Sequence, residues 1–170
     1  MALTMYQVSV PVLARVLENL IGILNKAAAH AAARKIDPSV LLNYRLAPDM
    51  FPLSRQIQVA SDQAKGGAAR LAGVEPVKFE DNEAGFDELI ERLRKTIDYI
   101  RTFKPEQIDG AEDRAIAFRI GEHALSFRSG LTFLHGFTLP NLYFHAATAY
   151  DILRHCGVEL GKRDFIGGLQ

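Results

Sequence analysis

From Leu3 to about Arg34 the apolar residues recur at helical spacing: Tyr6, Val10, Leu13, Leu17, Leu20, Leu24, Ala28 and Ala31. That period predicts one long helix with a single buried face. Pro11 falls within its first turns, where it delays the start or kinks the segment. The next stretch, "KIDPSVLLNYRLAPDMFP", is punctuated by Pro38, Pro48 and Pro52 and reads as a connection with one short helical turn. Asp49 is the candidate N-cap of a second helix that carries Leu53, Ile57, Ala60, Ala64, Ala68 and Leu71 on one side and stops at Gly73. After the connection "EPVKFEDNEAG", a third helix shows the cleanest three-four rhythm in Phe86, Leu89, Ile90, Leu93, Ile97, Ile100 and Phe103, ending before Pro105.

The pattern then changes period. In "RAIAFRIGEHALSFRSG", Ile116, Phe118 and Ile120 alternate with smaller or polar residues, and Leu125 and Phe127 do so again after "GEH". This predicts a small β-hairpin with His123 at its tip. "LTFLHGFT" reads as a short helical turn. Pro140 opens a fourth helix at a position where its missing amide costs nothing, and Gly157 closes it. Four amphipathic helices around one core predict an all-α four-helix bundle, residues 1–170 forming one domain, with a long connection between the third and fourth helices that holds the hairpin.

Composition narrows the function classes. The chain has 170 residues, 48% hydrophobic and 24% charged, an ordinary globular balance. Lys plus Arg and Asp plus Glu are both 20, so no net field attracts nucleic acid or an anionic membrane, and neither is an expected partner. The lone Cys156 cannot form an internal disulfide, which fits a reducing cytoplasm. The N-terminus "MALTMYQVSV" lacks the basic start and cleavage site of a secretion leader. The most apolar segment, Val8 to Leu24, is broken by Arg15, Glu18 and Asn19 and reads as a buried helix, not a membrane span.

Candidate chemistry gathers in "LPNLYFHAATAYDILRHCG". On the fourth helix, Asn141, Ala149, Ile152 and Cys156 share the face of His145, so His145 points toward the core. Across the bundle the second helix offers Gln56 and Gln63 nearest its apolar face. A polar cluster inside a helical bundle is where such folds build metal and ligand sites. The competing reading is a hydrogen-bonded core histidine, the commoner fate of a single His on an apolar face.

Two stretches, "LAPDMFPLSRQIQVASDQAK" (Leu46 to Lys65) and "LPNLYFHAATAYDILRHCGVELGKRDFIG" (Leu139 to Gly167), carry a resemblance to the DinB/YfiT-like superfamily. More narrowly, the chain resembles a bacterial branch of it known only as a domain of unknown function. The resemblance implies a metalloenzyme fold that holds a divalent metal on three histidines, two of them four residues apart on the fourth helix. Matching "LRHCG" to the family's helix ending places one ligand on His145, another on Asn141, and the third, from the second helix, near Gln56. Two of three positions are therefore neutral amides, poor partners for a zinc- or nickel-type ion. The expectation is a degenerate metal site with no resident cofactor, an ion being held only if Asp49, Asp62 or Glu122 assists. The cavity, around Gln56, Asn141, His145 and Asp49, is the candidate ligand pocket.

Other candidates have plainer readings. His155 sits in the last helical turn, where it interacts with the carbonyl end. Cys156 is roughly 16 Å along the helix from His145, too far for a catalytic couple. "GVELGKRDFIGG" lacks phosphate-loop spacing and reads as an arm that packs back through Phe165 and Ile166. His30, His123 and His135 take surface or loop roles. Two functions follow: a small-ligand-binding or structural homodimer with a degenerate metal site, or an enzyme of the superfamily's type, transferring thiols or isomerising small acids, with His145 as ligand or general base.

Overall fold

The computed structural model describes residues 3–168; the two residues at each end, on which the leader reading partly rests, lie outside it. The predicted first helix is two pieces. α1 (Met5–Val8) starts from a Thr4 cap whose hydroxyl accepts the Gln7 amide, while the Gln7 side chain accepts from the Thr4 amide. At Ser9 the backbone leaves helical geometry (φ −118°, ψ −82°), and Ser9 Oγ donates to the Met5 carbonyl at 2.6 Å. α2 (Val10–Arg34) then begins with Pro11 in its first turn, so the proline separates two helices instead of kinking one. α2 ends on Lys35, held left-handed at φ +54° with the Lys35 and Ile36 amides bonded back to Ala32 and Ala31.

α3 (Pro38–Leu42) is the expected short turn, capped by the Asp37 carboxylate on the Ser39 amide. α4 (Leu53–Leu71) has Pro52 at its N-cap with no side-chain bond, so Asp49 does not cap it and lies exposed in the preceding arm. At the other end Gly73 adopts φ +75°, and its amide and that of Val74 return to Arg70 and Ala69. α5 (Phe86–Arg101) stops short of Pro105, with Phe103 still buried.

The long connection contains α6 (Pro105–Ile108), a 3₁₀ turn (Ala111–Asp113) and the hairpin of β1 (Ile116–Ile120) and β2 (His123–Phe127). Ile116 pairs with Phe127 and Ile120 with His123, around a two-residue turn in which Gly121 takes φ +57°. The inward alternation holds for Ile116 and Phe118, whereas Ile120 is exposed. Phe118 and Phe127 dock on Phe133 and Phe137, with ring centroids 5.2–6.0 Å apart, which ties the hairpin to the helical run that follows. That run comprises α7 (Gly130–Phe133), a π-helical turn (Leu134–Thr138) and α8 (Leu139–His155). A Schellman closure at Gly157 (φ +89°) ends it, with Val158 bonded to the Leu153 carbonyl. α9 (Lys162–Ile166) folds back on α2: Asn19 and Arg15 donate to the carbonyls of Phe165 and Ile166, and Phe165 packs against Tyr150, while the Ile166 side chain stays exposed.

In the bundle α2 neighbours α5 and α8, and α4 neighbours the same two, so α2 lies across the core from α4 and α5 from α8. Within the helical run from Met5 to Arg34 an 18-residue stretch is apolar enough to cross a membrane by composition (mean hydropathy 1.4), yet Leu13, Leu17, Leu20 and Leu24 are all buried in the core. α4 and α8 run in opposite senses and approach closely where Gly67 meets the buried Thr138. A methyl at Gly67 would overlap Thr138 Cγ2. Gly67→Ala gains about 1 kcal/mol of helix propensity but overpacks this crossing at a cost of about 1–3 kcal/mol. Chemical denaturation is expected to show net destabilisation; a more stable variant would mean that the crossing has slack.

Candidate functional site

The π-helical turn sets the phase of α8. Pro140 falls in the first turn of α8, as its position in the sequence suggested, and the turn before it runs on into α8 without a break, Thr138 being already helical (φ −62°, ψ −55°). Its missing amide falls where the bonding register has shifted, the Leu139 amide reaching the Leu134 carbonyl. The Asn141 amide group then donates to the Phe137 carbonyl at 2.7 Å. Asn141 thus spends its donor on its own helix.

One turn later His145 enters the core, only 8% exposed. Its Nδ1 lies 2.7 Å from Oε1 of Gln56, itself 1% exposed. The Gln56 Nε2 donates to the Phe51 carbonyl at 3.0 Å, which fixes the amide's orientation. With Oε1 an acceptor only, Nδ1 carries the imidazole proton and Nε2 of the neutral ring keeps its lone pair. Burial, and secondarily the positive charge of Arg55, hold the ring's pKa below its usual 6.5, so the neutral form prevails at pH 7.

The surroundings are aromatic. The Phe144 ring stands edge-on to the imidazole at 5.2 Å, and both Phe144 and Phe51 are about half-exposed. Arg55 lies 5.8 Å over the Phe51 ring and pairs with Asp81. The structure therefore brings His145 and Gln56 into contact, leaves Asn141 turned along α8, and keeps Asp49 in the exposed arm. Asp62 is engaged by Lys65 and Arg92, and Glu122 sits in the exposed hairpin turn. Among the described residues no group of three His, Cys, Asp or Glu side chains is placed to hold a metal ion. His155 is exposed and tilts against Tyr44, and His123 begins β2. Burial pushes the Cys156 thiol upward, away from a reactive thiolate.

Sequence reasoning passed over Arg92, which is 3% exposed. Its guanidinium bonds Ser61 Oγ, the Glu80 carbonyl, Glu83, Asp62 and Asp81, at 2.8–3.2 Å. Ser61 also bonds Thr96, at 2.8 Å. Burial alone would lower the Arg92 pKa, but the Glu83 hydrogen bond and the neighbouring carboxylates outweigh it and raise it. The signal was available: Arg92 follows Leu89 by three residues, and Ser61 follows Ile57 by four, so both fall on apolar stripes. A cavity of about 540 Å³ opens beside this cluster instead of at His145, but its Glu83 and Arg92 are already bonded to one another. The cluster's role is to clamp residues 79–83 onto α4 and α5.

Two outcomes follow from this geometry. Because the native His145 ring resists protonation while the unfolded one accepts it near pH 6.5, its contribution to stability is whole above that pH. It declines as the pH falls through it. Denaturation midpoints across pH 5–8 should therefore slope less in His145→Gln than in the native chain; equal slopes would contradict the buried neutral ring. Arg92→Met strands Glu83 and frees two half-exposed carboxylates, with an expected loss of about 2–4 kcal/mol in urea unfolding. A neutral result would show the clamp to be ornamental.

Comparison with known proteins agrees with this architecture. Residues 5–166 match the family model described as "Domain of unknown function (DUF1993)". A crystal structure described as that of a DinB family member protein from Shewanella denitrificans is 40% identical in sequence, with a TM-score of 0.86 over 96% of this chain and 92% of that one. No curated protein matches. The all-α bundle with its small hairpin is thus a DinB-like fold, and the chain belongs to the DUF1993 family.

Proposed function

We propose that this protein is a DinB-like bundle that binds a small ligand at His145 without a resident metal, working as a cytoplasmic homodimer. The observation that carries the reading is the hydrogen-bond chain from the Phe51 carbonyl through Gln56 to His145. The donor set does not fit a zinc- or nickel-type ion. Gln56 Oε1 accepts the imidazole N–H, and Asn141, whose Nδ2 donates to Phe137, offers a neutral amide oxygen, so His145 Nε2 is the single imidazole ligand among the three positions. That Nε2 lone pair suits a ligand hydroxyl, amine or thiol that donates to it, with the half-exposed Phe144 ring packed against the imidazole. The lone cysteine supports the reducing compartment, and the pairing of copies comes from the resemblance to DinB-like proteins.

A second reading keeps the superfamily's chemistry: a metal-dependent enzyme, thiol transferase or isomerase, in which His145 serves as ligand or general base. The same neutral, unengaged Nε2 favours it. Elemental analysis of protein purified without a histidine tag or chelator separates the two, run beside an Asn141→His, Gln56→His double variant. The expected result is no stoichiometric ion in the native chain and one acquired by the double variant. One ion per native chain would overturn the first reading.

A further inference from the structure

The C-terminal end of α4 holds a second constellation, unconnected to His145. Arg70 lies flat with its guanidinium carbon 3.8 Å from the centre of the Phe118 ring. Beneath it is Gly66, one turn earlier on α4, where any Cβ would overlap the Arg70 Nη1. A glycine inside a helix costs about 1 kcal/mol relative to alanine, and here its missing side chain provides the slot in which the guanidinium rests. Arg114 crosses the same end of the helix: its Nη2 donates to the Leu71 carbonyl and its Nη1 lies against Gly73. Both arginines line a cavity of about 260 Å³ between the end of α4 and β1, whose wall includes Ile116 and whose acidic member is Glu75.

Among the described residues the Arg70 guanidinium has neither a carboxylate partner nor a hydrogen-bond acceptor, and burial depresses its pKa despite the opposing pull of Glu75. A stacked arginine is preorganised, its edge donors set in a planar fork. Two such forks beside one carboxylate leave a net positive cavity. We propose that Arg70 and Arg114 form a binding site for a phosphate-class oxyanion, either the free ion or the phosphoryl group of a small monoester. A tetrahedral oxyanion accepts from Arg70 and from the remaining donors of Arg114 at once, and its negative charge is met by the net positive cavity.

Titration with inorganic phosphate and, separately, glycerol 3-phosphate, at ionic strength matched with chloride, tests this. Saturable amide-shift changes confined to residues 70–75 and 114–117 are expected, with a rise in the melting temperature that chloride does not produce. Arg70→Gln and Arg114→Gln should each weaken binding about tenfold. Gly66→Ala, which displaces only the flexible end of Arg70, should fold normally and weaken binding too, whereas Glu75→Gln should tighten it. His145→Gln should leave it unchanged, which separates this site from the reading of His145. A tighter monoester would assign the site to phosphorylated metabolites, and equal affinities to the free ion; either supports the proposal. No phosphate-specific shift in the native chain, unaltered binding in Arg70→Gln, or acetate competing equally with phosphate would overturn it.

Discussion

The seam between α4 and α8 is the constraint on which the rest of the molecule depends. Near the C-terminal half of α4, Gly67 lets the chain come hard against Thr138 in the π-helical turn. Toward its N-terminal half, Gln56 reaches His145 across the same seam. Between these two points α4 contributes the buried Ala60 and Ala64, and just past His145 α8 contributes the buried Ala146 and Ala149. Close approach of two backbones and a short polar bridge reinforce each other: the small residues draw the helices within hydrogen-bond reach, and the bridge satisfies two polar groups that such proximity would otherwise strand. The π turn belongs to this arrangement, since it sets the rotation with which α8 enters the seam and absorbs the proline that would break an ordinary helix.

Arg92 fixes the other side of α4. A buried guanidinium is costly unless every donor is met, and here Ser61, Glu83, Asp62, Asp81 and a backbone carbonyl meet them. The result orders a segment that has no regular structure of its own. Asp81 also pairs with Arg55, whose charge helps to keep His145 neutral. The electrostatic setting of the imidazole is therefore partly written in the arm before α5, outside the two helices that hold it.

The four helical stripes were legible because each buries one face and the three-four rhythm records that burial directly. The hairpin was legible from the change of period, and Gly73 and Gly157 from the left-handed geometry a helix end favours. Three features were not. Ser9 and Pro11 together end α1, an effect of backbone geometry that no hydrophobic stripe reports. The π-helical character of the turn that runs into α8 ahead of Pro140 leaves no mark on the apolar pattern. Asp49 had the chemistry of a cap but not the position, since Pro52 already carries the chain into α4 in extended form. At the site, the face of His145 and the nearness of Gln56 could be read from helical phase. The direction of the Asn141 amide could not, because a side chain that bonds back to its own helix occupies the same wheel position as one that points into a pocket. Arg70 escaped notice for a related reason: its stacking on Phe118 joins α4 to a strand more than forty residues away.

The account turns on one proton. Gln56 is oriented by the Phe51 carbonyl, that orientation requires a hydrogen on His145 Nδ1, and burial keeps the ring neutral with a lone pair on Nε2. Imidazole nitrogen chemical shifts of ¹⁵N-histidine-labelled protein at pH 7, assigned against His145→Gln, read this directly. The account predicts a protonated Nδ1 and an unprotonated, metal-free Nε2. A ring protonated on Nε2 alone, a charged ring, or an Nε2 shift typical of metal coordination would contradict it.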